Sequence, residues 1–240
     1  MPRFSGDALP ETALACALAL ADKLDALDGL FSIGQTPTGD KHPLGLRRAA
    51  LGIVRIVVER RLELPLGDIV KRPDVQDFIF ERARGYLQDL GYSAVEVEAV
   101  LSLRPMRLDL VPRQLEAVRA FSSLPEAESL AAANKRIGNI LKQAASVPAE
   151  FDAELLLLPE EKTLAAAFRR LQPEVDSAFR ALDYTAALRR LASLKDPVDA
   201  FFDKVMVMDK DPRVRANRIG FLGRLHGTMN RVADLSKLAK

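Results

Sequence analysis

Residues 204–238 read KVMVMDKDPRVRANRIGFLGRLHGTMNRVADLSKL, and the fold turns on how this stretch is read. Every third or fourth residue from Arg213 gives Arg213, Asn217, Gly220, Arg224, Gly227 and Arg231. The same step from Val214 gives Val214, Arg218, Phe221, Leu222, Leu225, Met229 and Val232. Two rows at this spacing describe an amphipathic α-helix with an aliphatic side and a basic side. The glycines on the basic side let another backbone come close. A polyanion is the natural partner for such a side. The competing reading is a solvated face whose counter-charges come from other elements. Arg218 falls on the inner row, which predicts a structural ion pair, with Asp203 as a candidate partner.

Charge is segregated along the chain. From Pro212 to Lys240 there are seven cations and one carboxylate, Asp234, while the whole chain of 240 residues carries a formal net charge of only +2. The remainder is therefore net acidic, and a localised electrostatic footprint is expected rather than a uniformly basic binder. The chain is 48% hydrophobic and 28% charged, which suits a soluble globular protein with a sizeable core. It has no Trp and is rich in Ala and Leu, a balance that favours helix over strand.

Working outward, helices are predicted at 10–31, 43–62, 73–90, a short one opening at Ser93, 112–121, 125–145 (one helix, or two with a bend), 159–170, 173–182, 185–194, 198–208 and 212–233. Pro43 stands where a first helical turn has no use for an N–H. Gly91 follows the third helix in the usual stop position. Ser93 and Glu96 form a capping box for the fourth. Only Val205 to Met208 could be extended. The predicted fold class is all-α, two helical bundles joined somewhere between Leu101 and Ser123.

The candidate chemistry is sparse. Gly34 to Lys41 resembles a phosphate-binding loop in its two glycines. It lacks a preceding strand, and no Ser or Thr follows Lys41. Asp22 sits among aliphatics and is expected to need an ion-pair partner. With only His42 and His226 in the chain, a complete metal site is not expected. No Ser-His-Asp or Cys-His arrangement suggests nucleophilic catalysis. Cys16, the single cysteine, reads as a small buried apolar residue. No leader and no run of about 18 apolar residues is present, so no membrane partner and a cytoplasmic location are expected. A second polar stripe lies in AANKRIGNILKQ, residues 132–143. Lys135, Arg136, Asn139 and Lys142 there suit RNA, since cations neutralise phosphates and Asn can read base edges.

At these residues the chain resembles a known family. Ala17 to Ile56 (ALALADKLDALDGLFSIGQTPTGDKHPLGLRRAALGIVRI), ANKRIGNIL at Ala133 to Leu141, FFDKVMVM at Phe201 to Met208 and the final VADLSKL closely resemble the β subunit of bacterial two-subunit glycyl-tRNA synthetase. Pro2 to Thr12 is similar to an internal stretch of that family, which implies a C-terminal portion of a longer subunit. The resemblance implies that 1–113 is the later part of an HD-like helical domain with linking helices. It also implies that 114–240 is an anticodon-binding bundle like that of arginyl-tRNA synthetase, with the KRIGNIL helix lining the anticodon site. Asp22 matches the last metal ligand of HD proteins, but the other ligands would lie upstream, so it is a remnant and the metal set here is none.

The implied partners are tRNA-Gly and the synthetase α subunit. No cofactor is expected in this chain, because ATP and Mg belong to the α subunit, where aminoacylation takes place. No catalytic residue is expected. The expected tRNA-binding residues are Lys135, Arg136, Asn139, Lys142, Arg213, Arg215, Asn217, Arg224 and Arg231. The competing functions are an HD-type metal-dependent phosphohydrolase and a helical scaffold that docks the α subunit.

Overall fold

Thr12 starts the first helix by accepting a hydrogen bond from the Ala15 N–H at 3.2 Å, which satisfies one of the free donors of a helix N-terminus. The computed structural model describes residues 8–35 and 45–239. Among these are eleven α-helices and no named strand, so the protein is all-α. The chain divides into two units, residues 1–97 with 104–112, and residues 98–103 with 113–240. The divisions fall inside one helix and at the head of the next, so secondary structure runs on where the packing changes.

In the first unit, α1 (Ala13–Ser32) and α4 (Pro73–Asp89) both pack on α2 (Leu46–Glu59). The core is Leu20, Leu27 and Phe31 from α1, Ile53, Val54 and Val57 from α2, and Val75, Phe78 and Ile79 from α4. Phe31 and Phe78 meet with ring centroids 5.5 Å apart. Ala13 and Ala17 of α1 are exposed, and Lys23 is buried. The Lys23 stem lies across Gly52, where an added Cβ would come within 2.6 Å of its Cε. A lysine stem is apolar enough to pack, provided the facing residue gives it room.

The short α3 (Leu66–Ile69) was not visible as a period. α5 (Ala94–Leu101) begins with the expected capping box: Ser93 Oγ accepts from the Glu96 N–H, and Glu96 Oε2 accepts from the Ser93 N–H at 2.7 Å. Gly91 ends α4 with φ +91°. Pro43 and most of the Gly34–Lys41 loop lie outside the described residues, as does His42.

The second unit contains α6 (Val111–Ser122, from Arg113 onward), α7 (Ala127–Gln143), α8 (Pro159–Arg180), α9 (Tyr184–Ala192), α10 (Lys195–Lys204) and α11 (Pro212–Met229). A 3-10 turn at Leu235–Leu238 packs on α7, and so does α11. Phe221 of α11 is the hub. Its ring lies 5.0 Å from that of Phe151, 6.4 Å from Phe168 and 6.2 Å from Phe201.

Two boundaries differ from expectation. The predicted pair 159–170 and 173–182 is one helix, α8, with Pro173 inside it. Pro173 is exposed, as is Arg169, whose carbonyl loses its intrahelical donor, so water can serve that carbonyl. The predicted helix 198–208 ends at Lys204, and Val205 is extended, with φ −102° and ψ 118°. Val205 and Val207 are buried while Met206 and Met208 are exposed, the two-residue alternation of an extended segment.

Candidate nucleic-acid interface

Helix α11 is amphipathic to a smaller degree than its two rows suggest. Ten of its eighteen residues are buried, and they include Asn217, Arg218 and Gly220. Gly220 does admit a second backbone, but it is the chain's own, while a Cβ at Gly227 would meet nothing within 4 Å. A Cβ at Gly220 would lie 2.8 Å from the Glu150 carbonyl oxygen, and one at Gly223 would lie 2.7 Å from Val147 Cγ1. Asn217 fastens the same segment. Its Oδ1 accepts from the Asp152 N–H at 2.6 Å, and its Nδ2 donates to the Asp152 carbonyl at 2.9 Å. With both ends of its amide used and only 7% of it exposed, Asn217 is a buried structural residue, not an exposed contact for RNA.

Arg218 is buried as expected, with different partners. Its Nε donates to Glu161 Oε1 at 2.7 Å and its Nη2 to Oε2 at 3.2 Å. Its Nη1 donates to Asp209 Oδ2 at 2.7 Å and to the Met206 carbonyl at 2.9 Å. Asp203, the partner proposed from sequence, is exposed. Glu161 also accepts from the N–H groups of Leu157 and Leu158, at 3.0 and 2.8 Å, so it closes the N-terminus of α8. Burial pushes the Glu161 carboxyl up, but the Arg218 hydrogen bond and the two backbone donors outweigh it. The net effect holds Glu161 below its ordinary value. One guanidinium thus joins α8, α11 and the extended segment after α10.

The remaining cations of the basic row divide. Arg213 and Arg224 are exposed, and Arg224 pairs with exposed Glu150 at 3.4 Å. Arg215 is half-buried and donates to the Asp209 carbonyl at 3.0 Å. Arg231 is paired with Asp176 and lies 4.0 Å from the centre of the Phe179 ring. An outward row of arginines is therefore corrected: charge on Arg215 and Arg231 is engaged within the fold, and the physical reason is the carboxylates and carbonyls that neighbouring elements bring to α11.

The second stripe is different. Lys135, Gly138, Asn139 and Lys142 of α7 face His226 of α11 and Asp234, Ser236 and Lys237 of the C-terminal turn across a cleft of about 630 Å³. Lys135, Asn139 and Lys142 are exposed. The cleft therefore carries three lysines and one carboxylate. Asp234 Oδ1 already accepts from the Ser236 N–H and hydroxyl, at 3.1 and 2.6 Å. Arg136 is turned away from these and stacks on Phe202 with its guanidinium 4.4 Å from the ring centre.

Two asparagines hold the turn against α7. Asn230 Nδ2 donates to Asn134 Oδ1 at 3.3 Å, and Asn230 Oδ1 accepts from the Leu235 N–H at 2.9 Å. Asn134 is fully buried. His226 Nε2 lies 3.3 Å from where a Gly138 Cβ would stand, so the close approach of α7 and α11 depends on that glycine. Burial lowers the His226 pKa, Asp234 opposes this and Lys142 adds to it, leaving the imidazole below its usual 6.5.

Sequence reading did not single out Lys237 or His226 as part of this site. No period links a 3-10 turn after α11 to a face of α7; only the tertiary fold joins them. Asp22, expected near the core, is exposed on α1. Among the described residues no three His, Cys, Asp or Glu side chains converge, so the set around Asp22 does not fit a metal and no step is derived through one. No described helix is long and apolar enough to cross a membrane.

Comparison with known proteins places these features in a family. Residues 1–102 match the family model for the glycyl-tRNA synthetase beta subunit, and residues 130–236 match that for the DALR anticodon binding domain. The second match contains all of α7 from Leu130 and all of α11, and it takes in most of the cleft. The chain is 55% identical to the glycine–tRNA ligase beta subunit of Leptothrix cholodnii over 99% of its own length and 35% of that protein's. The corresponding protein of Thiobacillus denitrificans is 53% identical over 99% of this chain and 36% of its own length. The chain spans about a third of the length of these curated relatives, and the matching third is their C-terminal part. With family models matched in both halves and relatives 53–55% identical along 99% of its length, this chain belongs to the glycyl-tRNA synthetase β-subunit family.

Proposed function

We propose that the chain recognises tRNA-Gly through its anticodon arm, as the C-terminal part of a glycyl-tRNA synthetase β subunit. In this reading it supports ATP-dependent attachment of glycine on a separate α subunit, where ATP and Mg belong, and it takes no part in the bond-making step itself. The observation that carries the reading is the cleft between α7, His226 and the C-terminal turn, set within the segment that matches an anticodon-binding domain. Lys135, Lys142 and Lys237 neutralise phosphates of the loop. Asn139 offers an amide donor and acceptor to a base edge, and the neutral His226 imidazole offers one nitrogen of each kind. Arg136 on Phe202 and the exposed Arg213 and Arg224 add positive charge elsewhere on the same unit. Asn217 and Arg231 are removed from the expected contact set, and Arg215 is held inward.

The test is a titration of tRNA-Gly with the native chain and with the double variant Lys135→Gln, Lys142→Gln at several salt concentrations. Loss of two phosphate contacts should weaken binding and make the slope of log K against log salt shallower by about 1.4 to 1.8. An unchanged affinity and slope would take these lysines off the RNA surface.

A further inference from the structure

We infer that the outer side of α1 is a packing face, covered by the part of the β subunit that lies ahead of this sequence in its relatives. From Ala13 to Ala21 the helix reads ALACALALA, with no charged residue. A helix that is apolar all round belongs inside a protein. Only one side of this one is inside. Cys16, Ala19 and Leu20 are buried, while Leu14, Ala17, Leu18 and Ala21 are exposed. Those four exposed residues follow helical spacing and form one stripe. Leu14 is 71% exposed and Leu18 59%. A single exposed leucine is ordinary on a surface. Two on adjacent turns, with alanines beside them, make a continuous apolar face.

Three observations identify the occupant. The chain matches 35% of the Leptothrix cholodnii protein, its C-terminal part, so the rest of that subunit comes before the match. The approach to α1 is also fixed. Arg60 Nη2 donates to the Leu9 carbonyl at 2.9 Å, Cys16 Sγ donates to the Pro10 carbonyl at 3.4 Å, and Leu9 is buried. A domain joined ahead of Leu9 is therefore tethered within a few residues of Leu14, where its effective concentration is high. Finally, the stripe changes character along its length. Asp25 and Asp28 continue the line of Leu14, Leu18 and Ala21 and are exposed. Asp28 stands 3.9 Å from Arg72, and Asp25 has no partner among the described residues. The occupant is accordingly a helix whose apolar stripe lies on Leu14 and Leu18, comes close over Ala17 and Ala21, and ends in a basic residue opposite Asp25.

Thiol labelling tests this. In a Cys16→Ser background, Leu14→Cys and Leu18→Cys are made singly, and Ser146→Cys, at an exposed position of the second unit, is the control for reagent access. Each is placed in the 240-residue chain and in a chain with the preceding part of the Leptothrix cholodnii subunit joined where the match begins. In the 240-residue chain both α1 thiols should react as fast as the control. In the joined chain they should react slower than the control by about tenfold or more. Equal rates in the two chains overturn the inference. So does slow labelling of α1 in the 240-residue chain that deepens with protein concentration, because the occupant is then a second copy. Hydroxyl-radical oxidation of the intact Leptothrix cholodnii subunit repeats the measurement on a protein with no junction. Its segment aligned with residues 13–21 should be oxidised about fivefold less, or lower still, than the same segment of this chain. Equal oxidation again overturns the inference. None of these positions lines the α7 cleft, so the outcome is distinct from that of the tRNA-Gly test above.

Discussion

Arg218 shows how a basic residue in a basic row becomes structural. Its guanidinium offers a fixed planar fork of donors, and Glu161 matches two of them while Asp209 and the Met206 carbonyl take a third nitrogen. Removing one member leaves the fully buried Glu161 charge without its cation. Arg218→Met should therefore destabilise the chain by about 3–5 kcal/mol in urea unfolding. A loss under ~1 kcal/mol, the scale of an exposed pair, would mean the bridge is solvated. The pH dependence has a definite sign. Glu161 is held below 4.5 in the folded chain, so its contribution is complete above the unfolded value and fades as pH falls through the lower folded one. In Arg218→Met that acid-side loss should shrink, because the principal cause of the depression is gone. The sequence offered Arg218 as an inner residue needing a partner, and this was right. It could not choose among nearby carboxylates, because Glu161 is 57 residues away and pairing at that range is set by the fold.

At the scale of elements, local signals were the most legible. The Ser93–Glu96 capping box and the Gly91 stop were readable because each is complete within a few residues. The split of α8 failed because Pro173 was taken as a break. A proline on a solvent-facing side of a helix removes one hydrogen bond without forcing an end. Pro173→Ala should restore the bond to the Arg169 carbonyl and stabilise the chain by about 1–3 kcal/mol in thermal unfolding. A lower midpoint would show that the proline is needed for the path of α8.

The basic row of α11 was misread for a related reason: period shows which residues share a face but not what covers it. The segment 147–152 covers it at Gly220 and meets the neighbouring Gly223 as well. Gly220→Ala should cost about 1–3 kcal/mol, since its Cβ would stand 2.8 Å from a backbone oxygen. Gly227→Ala, with nothing within 4 Å, should instead gain about 0.5–1 kcal/mol. Equal effects of the two substitutions in urea unfolding would contradict the close approach.

At the scale of the molecule, the all-α class followed from sequence because helical period and proline punctuation extend along the whole chain, whereas the boundary at residue 113 came only from the family resemblance. The site itself was half legible. The α7 stripe announced Lys135, Asn139 and Lys142, and the fold added His226 and Lys237 from elements more than 80 residues later in the chain. The C-terminal excess of positive charge is thus partly spent inside the second unit, and the cleft gathers cations from two separate stretches. His226 stands within this cleft and is one of only two histidines. Its pKa lies below 6.5, and an RNA phosphate brought near it should favour the imidazolium and raise that value. The most direct measurement is an NMR titration of the histidine ring signals with a tRNA-Gly anticodon stem-loop, with His42→Gln assigning the His226 signal. The predicted result is a shifted His226 resonance and a raised His226 pKa at saturation. A His226 signal and pKa unchanged while the stem-loop is fully bound would contradict recognition in this cleft.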